Sequence, residues 1–182
     1  PGHGSAPRRD AAVARLVAAL DKVRRIETPI RVRPEVAAMF RVLASSAPPE
    51  DRAGFVALAS ALEEVSDFRR RFLANHAHNA LVRNTISITV VDAGARTSVG
   101  PSRARAERDA RLLPGESCAE FSETLGRVVA DPEVTIRTLL SFSANASSPD
   151  TTLFNAIAAV AGRMEPDALV LPRMIGGFTD AH

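Results

Sequence analysis

Asn84-Thr85-Ile86-Ser87-Ile88-Thr89-Val90 is the stretch that decides the fold. Upstream of it apolar residues recur at helical spacing. Within it Ile86, Ile88 and Val90 alternate with Thr85, Ser87 and Thr89, as a half-buried strand requires. Asp92-Ala93-Gly94 starts a turn, and alternation returns from Ser102 to Leu113. There Ala104, Ala106, Ala110 and Leu112 take one side, and Arg103, Arg105, Glu107, Asp109 and Arg111 the other. Two alternating runs about a turn predict a hairpin with one wet face.

Working outward, Val13, Leu16, Val17, Leu20 and Val23 share one face of a predicted helix over 10–25, with Asp10 as its N-cap. Val36, Met39, Phe40 and Leu43 repeat that spacing behind Pro34, a good first-turn residue. Phe55, Leu58, Ala59 and Leu62 predict a third helix, and Phe68, Phe72 and Leu73 a fourth, so 34–80 reads as a helical insertion. Downstream of the hairpin, Ser117-Cys118-Ala119-Glu120 has capping-box spacing, followed by Phe121, Leu125 and Val128 at helical intervals. Val134, Ile136, Thr138, Leu140 and Phe142 predict another strand. Beyond a small, polar linker at 143–148 lie a helix carrying Leu153, Phe154, Ile157 and Val160, and a short apolar run, 168–171, that ends in Gly176-Gly177-Phe178-Thr179-Asp180.

Without its insertion the chain reads helix, strand, strand, helix, strand. That is an α+β, ferredoxin-like two-layer βαββαβ sandwich with no first strand. The first strand of that fold is central, and an empty centre strands ladder hydrogen bonds on an inner edge. The expectation is that residues upstream of Pro1 supply it. Pro1-Gly2-His3-Gly4 resembles neither an initiator segment nor a signal peptide, which fits a chain that starts inside a longer one.

Composition narrows the function classes. With 46% hydrophobic and 24% charged residues among 182, the chain reads as a globular domain with an aliphatic core, no Trp or Tyr, and eight Phe as its large pieces. Its basic groups are all Arg except Lys22, and the formal net charge is only +2, so a pI near 9.5 reflects arginine chemistry rather than a nucleic-acid footprint. The predicted strands carry no aromatic platform for RNA. No apolar run reaches membrane-spanning length. The lone Cys118 forms no internal disulfide, which is compatible with a reducing, cytoplasmic setting.

Three features bear on chemistry. His3 lies in a glycine-flanked loop, Gly2-His3-Gly4-Ser5, just before a helix. Arg111 lies near a strand end before Leu112-Leu113-Pro114-Gly115, where its planar fork suits a carboxylate, though it also reads as one more charge on the wet face. Gly176-Gly177-Phe178-Thr179-Asp180 is a glycine turn after an apolar segment. The pair His76-Ala77-His78 is a poor zinc site, because residues two apart on a helix point to different faces; solvent-facing or capping roles are expected. No metal ligands are assigned in this chain.

Together, in this order, these stretches resemble the lid and dimerisation region of the zinc-dependent carboxypeptidase, aminoacylase and succinyl-diaminopimelate desuccinylase superfamily. The insertion is similar to that of the Gly-X carboxypeptidase and N-acyl amino acid hydrolase branch. The resemblance implies a lid/dimerisation domain over 1–148 with its insertion at about 28–80, and the start of a returning α/β catalytic segment over 149–182. It implies a parent that cleaves a peptide or N-acyl bond beside a free carboxylate, using zinc held by residues outside this chain, so that this piece alone would be inactive. His3 would face the oxyanion across a homodimer interface, Arg111 would hold the substrate carboxylate, and Gly177 and Thr179 would line the pocket. Ser98 and Phe178 depart from the family's usual Asn and Gly. A reading of another class remains beside it: a free-standing ferredoxin-like ligand-binding or regulatory module that dimerises.

Overall fold

A computed structural model describes residues 2–177. Among them are eight α-helices and four strands in two small antiparallel sheets, so the class is α+β. The chain forms two compact units, residues 1–28 with 84–144, and residues 29–83 with 145–182.

In the first unit the hairpin forms from β2 (Thr85–Ala93) and β4 (Ala104–Arg111). Its register corrects the simple alternation. A bulge between Ile88 and Val90 sets Val90 opposite Glu107 and Val91 opposite Ala106, so Val90 joins the charged face instead of continuing the Ile86–Ile88 row. Val90 and Val91 are 39% and 60% exposed, because the helices cover the ribbon mainly at its Ile86 end. The short strands β1 (Gly2–His3) and β3 (Val99–Gly100) make the second ladder, with Gly2 opposite Gly100 and His3 opposite Val99.

Helices α1 (Ala12–Arg24) and α7 (Cys118–Val129) supply the apolar layer: Ala19, Val23 and Val129 are buried together, with Ile86, Val134 and Ile136 packed against them. Arg15 clamps both carboxylate oxygens of Asp131 at 2.7 and 2.9 Å, tying the start of α1 to the turn after α7. Asp10 does not cap α1. Ala11 takes the cap position, while Arg8 grips the Asp10 carboxylate at 3.0 and 2.6 Å and holds its pKa down to about 2. The capping box at α7 does form, with Ser117 Oγ accepting from the Glu120 N–H.

The predicted strand over Val134 to Phe142 forms no ladder among the described residues. Val134 and Ile136 still point into the core, but Leu139 and Leu140 are exposed. Strand hydrogen bonding needs a neighbour, and no described strand pairs with this segment.

The second unit is helical: α2 (Pro34–Leu43), α3 (Pro49–Val56), α4 (Leu58–Glu64), α5 (Ser66–Ala74), α6 (His76–Leu81) and α8 (Thr152–Met164). Pro34 stands at the first turn of α2, as its sequence position predicts. The single predicted helix through Phe55 and Leu62 is two, broken at Ala57, whose φ of −116° and ψ of 50° are not helical. The break lets Phe55, Leu58 and Leu62 all reach one core with Val36, Phe40, Phe68, Phe72 and Val82. Gly54 permits this packing, since a Cβ there would meet the Phe68 ring at 2.3 Å. The apolar run 168–171 forms no strand; Leu171 and Met174 pack against this helical core instead.

His78 is neither solvent-facing nor a cap. Asn75 caps α6, and the His78 ring lies 4.9 Å from Phe40 and 4.8 Å from Phe72, centroid to centroid. Burial lowers its pKa, partly opposed by the Asp51 carboxylate, which is itself paired with Arg71. With the folded pKa below the unfolded value near 6.5, the unfolded chain binds protons more readily. Its contribution is therefore complete above about pH 6.5 and is lost as pH falls below it. Thermal melts at neutral and mildly acidic pH are expected to differ more for the wild type than for His78→Leu. Equal differences would refute the assignment.

Candidate functional site

The candidate site starts at the turn that carries His3. The Ala6 N–H donates to the His3 carbonyl at 3.0 Å, closing a turn with Gly4 and Ser5 at its centre. The Gly4 N–H donates to the Ser98 carbonyl at 2.7 Å and pins the turn beside β3. Gly4 suits that approach, since a Cβ would lie 3.4 Å from the same carbonyl oxygen. The imidazole is exposed, and its Nδ1 lies 2.7 Å from Ser5 Oγ and 3.2 Å from the Ser5 backbone nitrogen.

Arg111 ends β4, opposite Thr85. Its guanidinium donates to Asp109 at 2.7 Å on the exposed face, so a substrate carboxylate at Arg111 would have to displace an existing partner. The turn just beyond it is built with care: the Glu116 N–H donates to the Leu113 carbonyl at 3.1 Å, and Gly115 takes φ +85°, a conformation that favours glycine. Asn84, which sequence reading treated only as a strand start, anchors this turn. Its Oδ1 accepts from the buried Leu113 N–H at 2.8 Å, and its own carbonyl accepts from Thr28 Oγ1 at 2.6 Å. A buried amide beside a glycine turn was the available signal.

The structure does not bring His3 and Arg111 together. His3 pairs with Val99 on β3, before β4 begins, while Arg111 ends β4, an eight-residue strand roughly 24 Å from end to end. Gly177 is exposed and belongs to the second unit. Thr179 lies outside the described residues, as do Phe178 and His182.

Alongside β4 runs a trough of about 950 Å³, lined by Leu16, Leu20, Val23, Ala106 and Arg108 and by residues 133–137. The Nε atom of Arg108 is buried there without a hydrogen-bond partner, and desolvation lowers the pKa of its guanidinium. Among the described residues no three His, Cys, Asp or Glu side chains gather closely enough to hold a metal ion, so these residues by themselves form no zinc site. No described helix is long and apolar enough to cross a membrane.

Comparison with known proteins follows the same outline. The family described as "Peptidase dimerisation domain" matches residues 1–135. The chain is 28% identical over 184 residues to "Probable carboxypeptidase S-like 2" of Dictyostelium discoideum, covering all of this chain and 34% of that protein. It is 29% identical over 151 residues to "N-fatty-acyl-amino acid synthase/hydrolase PM20D1" of Homo sapiens, covering 81% of this chain and 29% of that protein. The chain thus spans about a third of the length of these curated relatives. No solved structure matches it. With nearly three quarters of its residues inside that match, alongside the pinned hairpin and its two helices, the chain belongs to the peptidase dimerisation domain family.

Proposed function

We propose that this chain is the lid and dimerisation domain of a larger zinc-dependent hydrolase that cleaves a peptide or N-acyl bond beside a free carboxylate. The observation that carries the reading is the exposed imidazole of His3, held at the head of a turn pinned to Ser98. A group so placed is free to meet a reacting atom supplied by another part of the parent or by a second copy. Residues outside this chain would hold the parent's metal, which would supply an activated water. His3 donates to the oxygen that gains charge as the amide carbonyl is attacked. Arg111 exchanges Asp109 for the substrate carboxylate, and Gly177 and Thr179 line the pocket.

His3 and Arg111 are too far apart to clasp one small substrate within a copy. A two-fold dimer that sets His3 of one copy beside Arg111 of the other meets the requirement, which is the role proposed for the homodimer. The fold proposal is a ferredoxin-like sandwich over 1–148, with the insertion at about 28–80, followed by a returning catalytic segment over 149–182. Residues 1–182 alone are expected to turn over no substrate.

Arg111→Ala in the full-length protein tests the reading. A charge-assisted hydrogen bond is worth about 1.5–3 kcal/mol, so KM is expected to rise at least about tenfold with kcat little changed. The effect should vanish for a substrate whose carboxylate is amidated. Equal losses on both substrates would rule out carboxylate binding by Arg111.

A further inference from the structure

Imidazole has two neutral tautomers, and which nitrogen faces the reaction decides whether a histidine donates or accepts there. At His3 the choice is made by its own turn. The Ser5 backbone nitrogen, 3.2 Å from Nδ1, carries a hydrogen and can only donate. A proton on Nδ1 would set one N–H against another, so Nδ1 accepts. The Ser5 hydroxyl, at 2.7 Å, then donates to the same lone pair as the shorter and stronger of the two bonds. With Nδ1 filled from inside the turn, the proton sits on Nε2, on the side of the ring away from Ser5.

We infer that Ser5 is a positioning residue that locks His3 as its Nε2–H tautomer, so the turn presents a hydrogen-bond donor and not a base. The inference rests on the role given to His3 above and makes it specific: His3 stabilises negative charge on oxygen and takes no proton from water or substrate. The remaining geometry agrees with a fixed ring. Ser5 is held at the centre of the His3–Ala6 turn, and Gly4 ties that turn to Ser98, so the backbone positions that carry the hydroxyl and the imidazole are fixed relative to one another.

The test reads the tautomer directly, by nitrogen-15 NMR of the histidine rings in the full-length protein, with the His3 signals assigned from their loss in His3→Gln. The wild type is expected to show Nε2 protonated and Nδ1 bare. Ser5→Ala keeps the backbone N–H that opposes a proton on Nδ1 but loses the shorter, stronger bond that fills its lone pair, so the Nδ1–H population should rise and kcat fall roughly five- to tenfold at unchanged KM, the worth of one hydrogen bond. Ser5→Thr, which keeps the hydroxyl, should restore both. A wild-type ring protonated on Nδ1, or Ser5→Ala with the tautomer unchanged, would overturn the inference. A tautomer shift with turnover unchanged would uphold the lock and refute instead the part assigned to His3 in the reaction.

Discussion

His3→Ala in the full-length protein is expected to lower kcat by about 10²–10³ while leaving KM little changed, because loss of one donor to a developing oxyanion removes an interaction made only in the transition state. The fold should not respond. His3 is exposed and, among the described residues, its ring bonds only to Ser5, two residues away, so stability should move by no more than about 0.5 kcal/mol. His3→Gln, which keeps an N–H donor at similar reach, should recover part of the activity. Steady-state kinetics on an N-acyl amino acid, with a thermal melt on each variant, separates the cases. Wild-type kcat in His3→Ala would remove His3 from the reaction, and with it the reason for expecting two copies to share a site.

A second large effect lies in the helical unit. Phe40 is fully buried, and its ring is within 5 Å of three others: Phe55 at 4.8 Å and nearly perpendicular, Phe72 at 4.9 Å and His78 at 4.9 Å. Deleting it forfeits the transfer energy of the ring and leaves a cavity whose walls come from four helices, α2, α3, α5 and α6, that cannot all close in together. Phe40→Ala is expected to cost about 3–5 kcal/mol, a large fraction of the roughly 5–15 kcal/mol that holds a typical domain folded. Denaturant unfolding followed by circular dichroism should show it. Val65→Ala, at an exposed position, is the control expected within about 0.5 kcal/mol of wild type. Should Phe40→Ala unfold at the wild-type midpoint, the aromatic cluster would not be the core of this unit.

Residue periodicity by itself determined the elements that pack at short range. The alternation around Ile86 and Ala106 predicts the hairpin, Pro34 the start of α2, and Ser117 with Glu120 the start of α7, because each depends on residues a few positions apart. The order of the stretches around His3, Arg111 and Gly177 also carried the family resemblance. What the tertiary structure decided depends on distant partners. The bulge that turns Val90 to the charged face answers to the register of β4, and the residues from Val134 to Phe142 lack a ladder because strand pairing comes from a neighbour and not from their own pattern. His78 reads as a surface histidine until four helices bring three phenylalanine rings around it. The candidate site divides the same way: sequence names His3 and Arg111, but only the folded ladders set His3 against β3, before β4 begins, and Arg111 at the far end of β4, whose fixed rise per residue no side chain can shorten.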